Sequence, residues 1–424
     1  MEERTDGART GLAPGDLVTP ERSLWRSRDF VQLWSGQATS QFGFRIGGIA
    51  IPLLALTVLD ATAFDMGLLN AAQSLGVLLF GLPAGAWVDR VRRRRLMLAM
   101  DLTRAALLVT VPIAGLLHWL TLYQLIVVAL AVGVGSVFFD IAHQSYLPGF
   151  VGRERLVEAN AKLQVSQSVA TVTGPGIGGG LVGLIGASST VLVTALTFLG
   201  SAGFLRRIRA TDPAPEPVEH PRLVTEIAEG LRFVLRDAAL RAIACYTATA
   251  NLFMSVVVTL LVLFLVRDVG LAPVVTGLVV AAAGVGGIAA AFTAKWWTVA
   301  CGQTRTIWLS VLVTQPFGLL LWLARPDWRL CLFVLGWFML GYGGTLYNVV
   351  QVSFRQAVCP NRLLGRVQAS NRFFAWGSLP LGGLLGGALG TWLGPRYALL
   401  VAGVGLVVSI LWLLLSPLPR LGRG

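Results

Sequence analysis

Four groups of polar residues interrupt otherwise apolar sequence, and their spacing limits what each can do. Gln37, Gln41 and Arg45 recur every fourth residue, so on a helix they form one stripe that includes a guanidinium. That stripe can bind an anionic or hydrogen-bonding solute; alternatively Arg45 snorkels outward or meets a helix dipole for structure alone. Asp101 and Arg104 sit one turn apart and can pair with each other. Asp140 and His143 put a carboxylate beside an imidazole, a combination able to relay a proton or simply to support structure. The run Gly85-Ala-Trp-Val-Asp89-Arg90-Val-Arg92-Arg93-Arg94-Arg95 sets one carboxylate among five arginines between two apolar stretches. A bilayer core excludes such a cluster, so it marks a tight turn at a membrane surface.

The elements that must position these groups are membrane helices. The chain has 424 residues, 55% of them hydrophobic and 13% charged, with a mean hydropathy of +0.71, far too apolar for a soluble protein of this length. Runs long enough to cross a hydrocarbon core of about 30 Å occur near 30–59, 65–88, 96–117, 121–143, 164–186 and 188–205. Six more occur near 241–266, 272–294, 306–324, 328–351, 367–389 and 396–416. The expected fold is an all-α membrane protein with twelve transmembrane helices in two six-helix bundles.

Of the 34 basic residues, 28 fall in segments on one side of that arrangement and 4 on the other, with Arg45 and Arg104 inside spans. The bias places both termini in the cytoplasm. It also accounts for the net charge of +13 without a nucleic-acid partner. The expected divisions are a tail over 1–29, a bundle over 30–205, a linker over 206–240, a second bundle over 241–416 and a tail over 417–424. Residues 1–29 contain no apolar h-region, so no cleavable signal peptide is expected. In the linker Leu223, Ile227, Leu231 and Val234 share one helical face, which suits either a surface helix between the bundles or a solvated tether.

Catalysis finds no support. His118, His143 and His220 are scattered, no nucleophile lies beside a base, and no G-x-x-x-x-G-K-[ST] loop is present. Cys245, Cys301, Cys331 and Cys359 are widely spaced without a C-x-x-C pair, so neither a metal site nor a disulfide framework is indicated. No cofactor and no enzymatic activity are expected.

The two halves repeat. At an offset of 207, Gln144 falls on Gln351, Gly176 on Gly383, and Gly179-Gly180 on Gly386-Gly387; nearer the start the offset is 210, with Gly67 on Gly277, Gly76 on Gly286 and Arg95 on Arg305. Two equivalent six-helix halves are the layout of a rocking membrane protein with a site between them.

With these features the chain resembles the major facilitator superfamily. That family's loop between its second and third helices reads roughly G-x-L-a-D-R-x-G-R-[RK]. Gly85, Asp89, Arg90, Arg93 and Arg94 match in register, whereas Trp87 replaces leucine and Arg92 replaces glycine. The resemblance implies that Asp89, Arg93 and a carboxylate of the fourth helix, here Asp140, form a cytoplasmic gating latch holding the outward-closed arrangement together. Gly174-Pro175-Gly-Ile-Gly178-Gly179 is similar to the superfamily's antiporter motif, associated with drug and metabolite export. Its proline and glycines suit either a bending point or close packing. Pro83-Ala-Gly85, Phe139-Asp140, Leu147-Pro148 and Glu158-Ala-Asn160-Ala are similar to the bacterial efflux branch known as transmembrane secretion effectors or enterobactin-exporter-like proteins.

The resemblance further implies that helices 1, 4, 7 and 10 line a central cavity. Helix 7 would contribute Thr247, Asn251 and Ser255, and helix 10 Tyr342, Thr345 and Asn348, to a site for a small amphipathic organic molecule; each of these also suits helix-to-helix contact. The expected function is proton-driven export by a monomer, with Asp101, Asp140 and His143 as proton-relay candidates. No acidic residue falls near the midplane of any span as delimited above, so proton coupling rests on the resemblance. An importer of the same fold, or a membrane-embedded sensor or lipid-handling protein, remains open as an alternative.

Overall fold

The computed structural model describes residues 24–81, 83–88, 90–210, 231–359 and 361–421. All regular structure among the described residues is helical. Twelve long elements alternate in direction: α1 (Arg28–Val58), α2 (Ala63–Phe80), α3 (Arg93–Leu116), α4 (Leu122–Val151), α5 (Leu156–Ile185), α6 (Ala187–Arg206), α7 (Ala238–Leu263), α8 (Pro273–Cys301), α9 (Gln303–Thr314), α10 (Arg329–Val358), α11 (Asn361–Leu393) and α12 (Pro395–Ser409). A π turn over Phe264–Asp268 extends α7, and a 3₁₀ stretch over Gln315–Leu323 extends α9. Pro316 lies at the start of that stretch and has no N–H to give to an α ladder. Eleven of the elements are long and apolar enough to cross a membrane. The other is α11, at 33 residues long enough to cross, whose six glycines from Gly377 to Gly390 lower its hydropathy. Helices satisfy their own backbone polar groups, which is what lets them stand in hydrocarbon.

Local chemistry sets the helix ends. Thr62 and Asp65 form a reciprocal capping box at the start of α2, and the Asp237 carboxylate accepts from the amides of Ala239 and Leu240 at the start of α7; such caps contribute about 1 kcal/mol each. Between α5 and α6, and between α11 and α12, the link is a single glycine: Gly186 at φ +83° and Gly394 at φ +79°. So short a reversal needs the left-handed backbone that glycine adopts at least cost. The turn from α8 to α9 likewise passes through Gly302 at φ +80°. Its counterpart in the first half is Arg92, which takes φ −65° and ψ 113°, so the missing family glycine costs nothing there.

In the first half α3 packs on α4 and α6, and α1 on α5 and α6; in the second half α9 packs on α10 and α12, and α7 on α11 and α12. The halves meet chiefly through α2 against α11 and α5 against α8. Both seams are glycine crossings. A Cβ at Gly67 would come within 2.8 Å of the Gly387 Cα, and one at Gly277 within 3.1 Å of the Gly179 Cα. Since Gly67 is the repeat partner of Gly277, the two crossings are equivalent contacts, and only glycine lets the backbones come so near.

The described basic loop residues cluster at one end of the bundle, at the turns before α3, before α5 and after α6; this end is called the arginine-rich face. Asp29 accepts from the amides of Arg209 (3.1 Å) and Ala210 (3.0 Å), and the Arg94 guanidinium donates to the Ile208 carbonyl at 2.6 Å. Arg94 therefore binds the chain leaving α6 to the start of α3. In the linker, residues 211–230 lie outside the described residues, taking with them Leu223 and Ile227. Residues 231–236 are helical, and Val234 is buried with Leu240, Ala244 and Cys359.

Candidate functional site

The interior of the first half is built around a buried ion pair. Arg104 and Asp101 bond to each other and are almost completely buried, at 2% and 0% exposure. Arg104 also donates to the Ser136 hydroxyl of α4 at 3.0 Å and the Ser40 hydroxyl of α1 at 3.3 Å, while Asp101 accepts from Ser201 of α6 at 2.6 Å. The guanidinium carbon lies 4.2 Å from the ring centre of Phe198 and 4.7 Å from that of Phe139. Charges taken this far from water persist only when paired and hydrogen-bonded, and this pair ties α3 to three neighbours.

Asp140 stands one turn beyond Ser136 on α4, within Coulombic reach of Arg104 and Arg45. Its side chain is exposed although it lies deep in the protein, because a cavity reaches it. Arg45 is half-buried nearby. Its stem rests on Gly174, where a Cβ would come within 2.5 Å of the Arg45 Cβ, and its Nε has no hydrogen-bond partner.

The expected depth of Asp140 is corrected by the length of its helix. The fourth span was expected to end near residue 143, but α4 continues to Val151. Asp140 is therefore about 16 Å from the arginine-rich end of its helix and only about 5 Å from its middle, at 1.5 Å per residue. Asp140 thus stands deeper than the sequence reading placed it, and an acidic residue does occur near the middle of a span. Asp89 lies outside the described residues. Gly85 is within a short helix, Pro83–Val88, and Arg90 is exposed in the turn after it.

The cavity at Asp140 has a volume of about 730 Å³. Gln37 and Gln41 of α1, Asp140, His143 and Gln144 of α4, and Asn160, Gln164 and Gln167 of α5 supply its polar wall. His143 is 6% exposed and stacks on Phe139 with 7° between the rings; its Nε2 and the Gln37 Oε1 lack partners. A second cavity of about 590 Å³ lies in the other half, among Thr247, Asn251, Tyr347, Asn348, Gln351, Arg355 and Trp376. Many of its polar groups are tied to one another, Thr247 to Tyr347 at 2.8 Å, Gln315 to Tyr246 at 2.9 Å, Gln351 to Asn348 at 3.0 Å, and Asn251 to the Ala375 carbonyl at 3.0 Å, while the Gln315 and Gln351 Oε1 atoms lack partners. Both cavities occupy the arginine-rich half of the helices.

Toward the opposite face the halves are joined. Asn70 of α2 donates to Thr259 (2.6 Å) and Ser255 (3.1 Å) of α7, and Arg267 pairs with Asp60 at 3.5 Å; Ser255 is itself anchored within the second half by donating to the Leu379 carbonyl of α11 at 2.7 Å. Between α5 and α8 a mainly apolar groove of about 660 Å³ runs along Val165, Val169, Ile288 and Phe292 and shares Ala161, Gln164 and Gln167 with the polar cavity.

Gln37, Gln41, Asp140 and His143 thus converge on one cavity, and Thr247, Asn251 and Asn348 on the other. Three expected cavity residues do not line either. Ser255 is buried in the junction just described; Tyr342 bonds to Thr293 at 2.7 Å and to the Trp297 indole at 2.8 Å of α8; Thr345 faces Gly287 and the apolar groove. Asp101 is enclosed and does not touch a cavity. In the antiporter-like motif Gly174 and Gly178 receive α1, and Pro175 and Gly179 receive α8 at Gly277. The sequence reading missed Asn160, Gln164 and Gln167, whose spacing of four and three is a visible amide stripe, and Asn70, a lone amide with no periodic signal.

Twelve helices in two pseudo-symmetric halves around such cavities define a membrane transporter of the major facilitator fold. The fold matches the nucleoside transporter NupG, with a TM-score of 0.77, 10% identity and coverage of 91% of this chain and 98% of that one. It also matches a bacterial homologue of the human lysosomal transporter Spinster in an inward-facing, occupied conformation, with a TM-score of 0.72, 14% identity and coverage of 94% and 98%. The family profile described as transmembrane secretion effector matches residues 22–423, and the chain belongs to that family. Similar members include the multidrug efflux pump Tap of Mycolicibacterium fortuitum, 29% identical over 83% of this chain and 86% of Tap. Another is the enterobactin exporter EntS of Citrobacter koseri, 25% identical over 88% of each chain.

Proposed function

We propose that the protein is a secondary active exporter that moves a small amphipathic organic molecule out of the cell by alternating access, driven by proton antiport. The observation that carries this reading is the asymmetry along the membrane normal: both cavities lie toward the arginine-rich face, while at the other face Asn70 bonds to Ser255 and Thr259, and Arg267 to Leu56 and Asp60, across the halves. Arginine excess marks the cytoplasmic side, so in this conformation the cavities lie toward the cell interior, as loading for export requires. An apolar groove merging with an amide-lined cavity at Gln164 and Gln167 suits a molecule with both characters.

The closed face is weak enough to open. Hydrogen bonds between membrane helices average about 0.6 kcal/mol, so three of them hold about 2 kcal/mol, which a substrate or a gradient can overcome. In this reading Gly85, Asp89, Arg90, Arg93 and Arg94 form the latch at the cytoplasmic face, and Gly174, Pro175, Gly178 and Gly179 form the seam about which α5 moves against α1 and α8. Asp140 and His143 are the groups placed to exchange protons with the cavity.

The test is transport by purified protein in vesicles of defined orientation. An imposed pH gradient should drive accumulation of an amphipathic fluorescent probe, and Asp89→Asn should abolish it with the protein still inserted. Absence of gradient-driven flux across a panel of cationic, neutral and anionic probes would defeat the exporter reading.

A further inference from the structure

We infer that the first cavity is a recognition site for an organic cation rich in hydrogen-bonding groups, with Asp140 as the residue that selects for positive charge. The inference rests on the transporter reading above and names the substrate class for its cavity.

The four charges near this site sum to zero, so their arrangement decides what a solute meets. Arg104 is taken up by Asp101, two serine hydroxyls and two aromatic faces, and is buried. Asp101 is enclosed with it and bonded to Ser201. Arg45 of α1 packs its stem against Gly174, and it is not among the residues that line the cavity. Among these four, Asp140 is the charge that lines the cavity wall, and no charged residue of α5 lines the cavity opposite it. A cation entering the cavity therefore meets a carboxylate directly, whereas an anion meets that carboxylate before either guanidinium.

The rest of the wall fits the same occupant. Amide side chains from three helices surround Asp140, and each offers both donors and an acceptor. Two polar atoms of the wall, the His143 Nε2 and the Gln37 Oε1, are buried without partners, and His143 is more than nine-tenths buried. Buried polar groups are normally satisfied, so these two point to a ligand, or the water it displaces, that carries hydroxyl, amine or carbonyl groups. The second half differs at the equivalent of Asp140, where the repeat places Tyr347, an uncharged group whose hydroxyl is already bonded to Thr247.

The experiment measures binding without any gradient, which separates it from the transport test. Full-length protein in lipid nanodiscs is titrated with doxorubicin, which carries one amine and several hydroxyls, and with its N-acetyl (neutral) and N-succinyl (anionic) derivatives, with fluorescence anisotropy as the readout. Doxorubicin should bind about 30-fold more tightly than the neutral form, equal to roughly 2 kcal/mol. Asp140→Asn should remove that preference, Asp140→Glu should keep it, and Tyr347→Phe should leave it unchanged. Should Asp140→Asn fail to fold, Gln164→Lys adds a cation on the facing wall and should weaken doxorubicin about tenfold while sparing the neutral form. Equal affinity for the three probes, preference for the anion, or a cation preference that survives Asp140→Asn or Gln164→Lys would overturn the inference. Charge-selective binding without pH-driven flux would uphold it and remove the exporter reading instead.

Discussion

The two halves share one architecture and differ in where they put charge. At the positions of Arg45, Asp101, Arg104 and Asp140, the repeat offsets of 210 and 207 place Ser255, Val311, Thr314 and Tyr347 in the second half. The same helix crossing is thus solved twice. In the first half Arg104 reaches Ser136 across the α3–α4 contact; in the second, Thr314 fills the space beside Gly343, the counterpart of Ser136, and bonds back to the Ser310 carbonyl. Neutral packing is sufficient to hold the fold, so the charges of the first half call for another reason. Intramembrane ionisable groups are costly and mark function, and here they surround a cavity whose polar wall is partly unpartnered. Among the described residues, the second half offers mostly hydroxyls and amides with one buried cation, Arg355, and no carboxylate on its cavity wall.

The strongest way to break this comparison is to remove one member of the ion pair. Arg104→Ala leaves Asp101 buried and unpaired and should cost about 3–5 kcal/mol, read as a large fall in the thermal midpoint in detergent. Thr314→Ala should cost no more than about 1 kcal/mol; equal losses would erase the distinction between the halves. Next come the two glycine seams, where the halves are alike. Gly67→Val and Gly277→Val should each destabilise by about 1–3 kcal/mol through overpacking and impair transport equally, and a clear inequality would show that the crossings are not equivalent.

Asn70→Leu removes polar links between the halves worth about 1–2 kcal/mol. Spin labels at the exposed Val58 and Val274 should then report a larger population with the far face open. An unchanged distance distribution would assign closure to the glycine seams alone. The smallest effect contrasts Gln37 with its repeat partner Thr247. Gln37→Leu should weaken probe binding about twofold to threefold, or less than about 0.7 kcal/mol, without loss of stability. Thr247→Val should instead lower stability by releasing Tyr347, and the reverse outcome would exchange the roles of the two cavities.

Much of this was legible in the residues. Apolar run lengths fixed the spans to within several residues because hydrocarbon thickness dictates helix length. The match of Gly67 to Gly277 anticipated that the halves would repeat, and both seams turn on those two glycines; Gly386, the sequence match of Gly179, packs on α7 instead, and its neighbour Gly387 meets Gly67. The site was read less well. Tyr342 and Thr345 sit on the correct helix but are rotated toward α8, and Ser255 belongs to a closure. A polar residue in a membrane helix is equally at home facing a cavity or a neighbouring helix, and periodicity gives a face without saying what that face meets.

From composition and order alone, the protein is committed to a twelve-helix membrane fold with its basic loops on one side, since burial of backbone and charge in lipid admits few alternatives. Only the tertiary structure decides that Asp140 stands on a cavity wall within reach of Arg45 and Arg104. It also decides that amides of α5 complete the cavity wall and that Asn70 helps close the far side. Each of these depends on the depth and rotation of one helix against another, which packing sets and a linear sequence does not record.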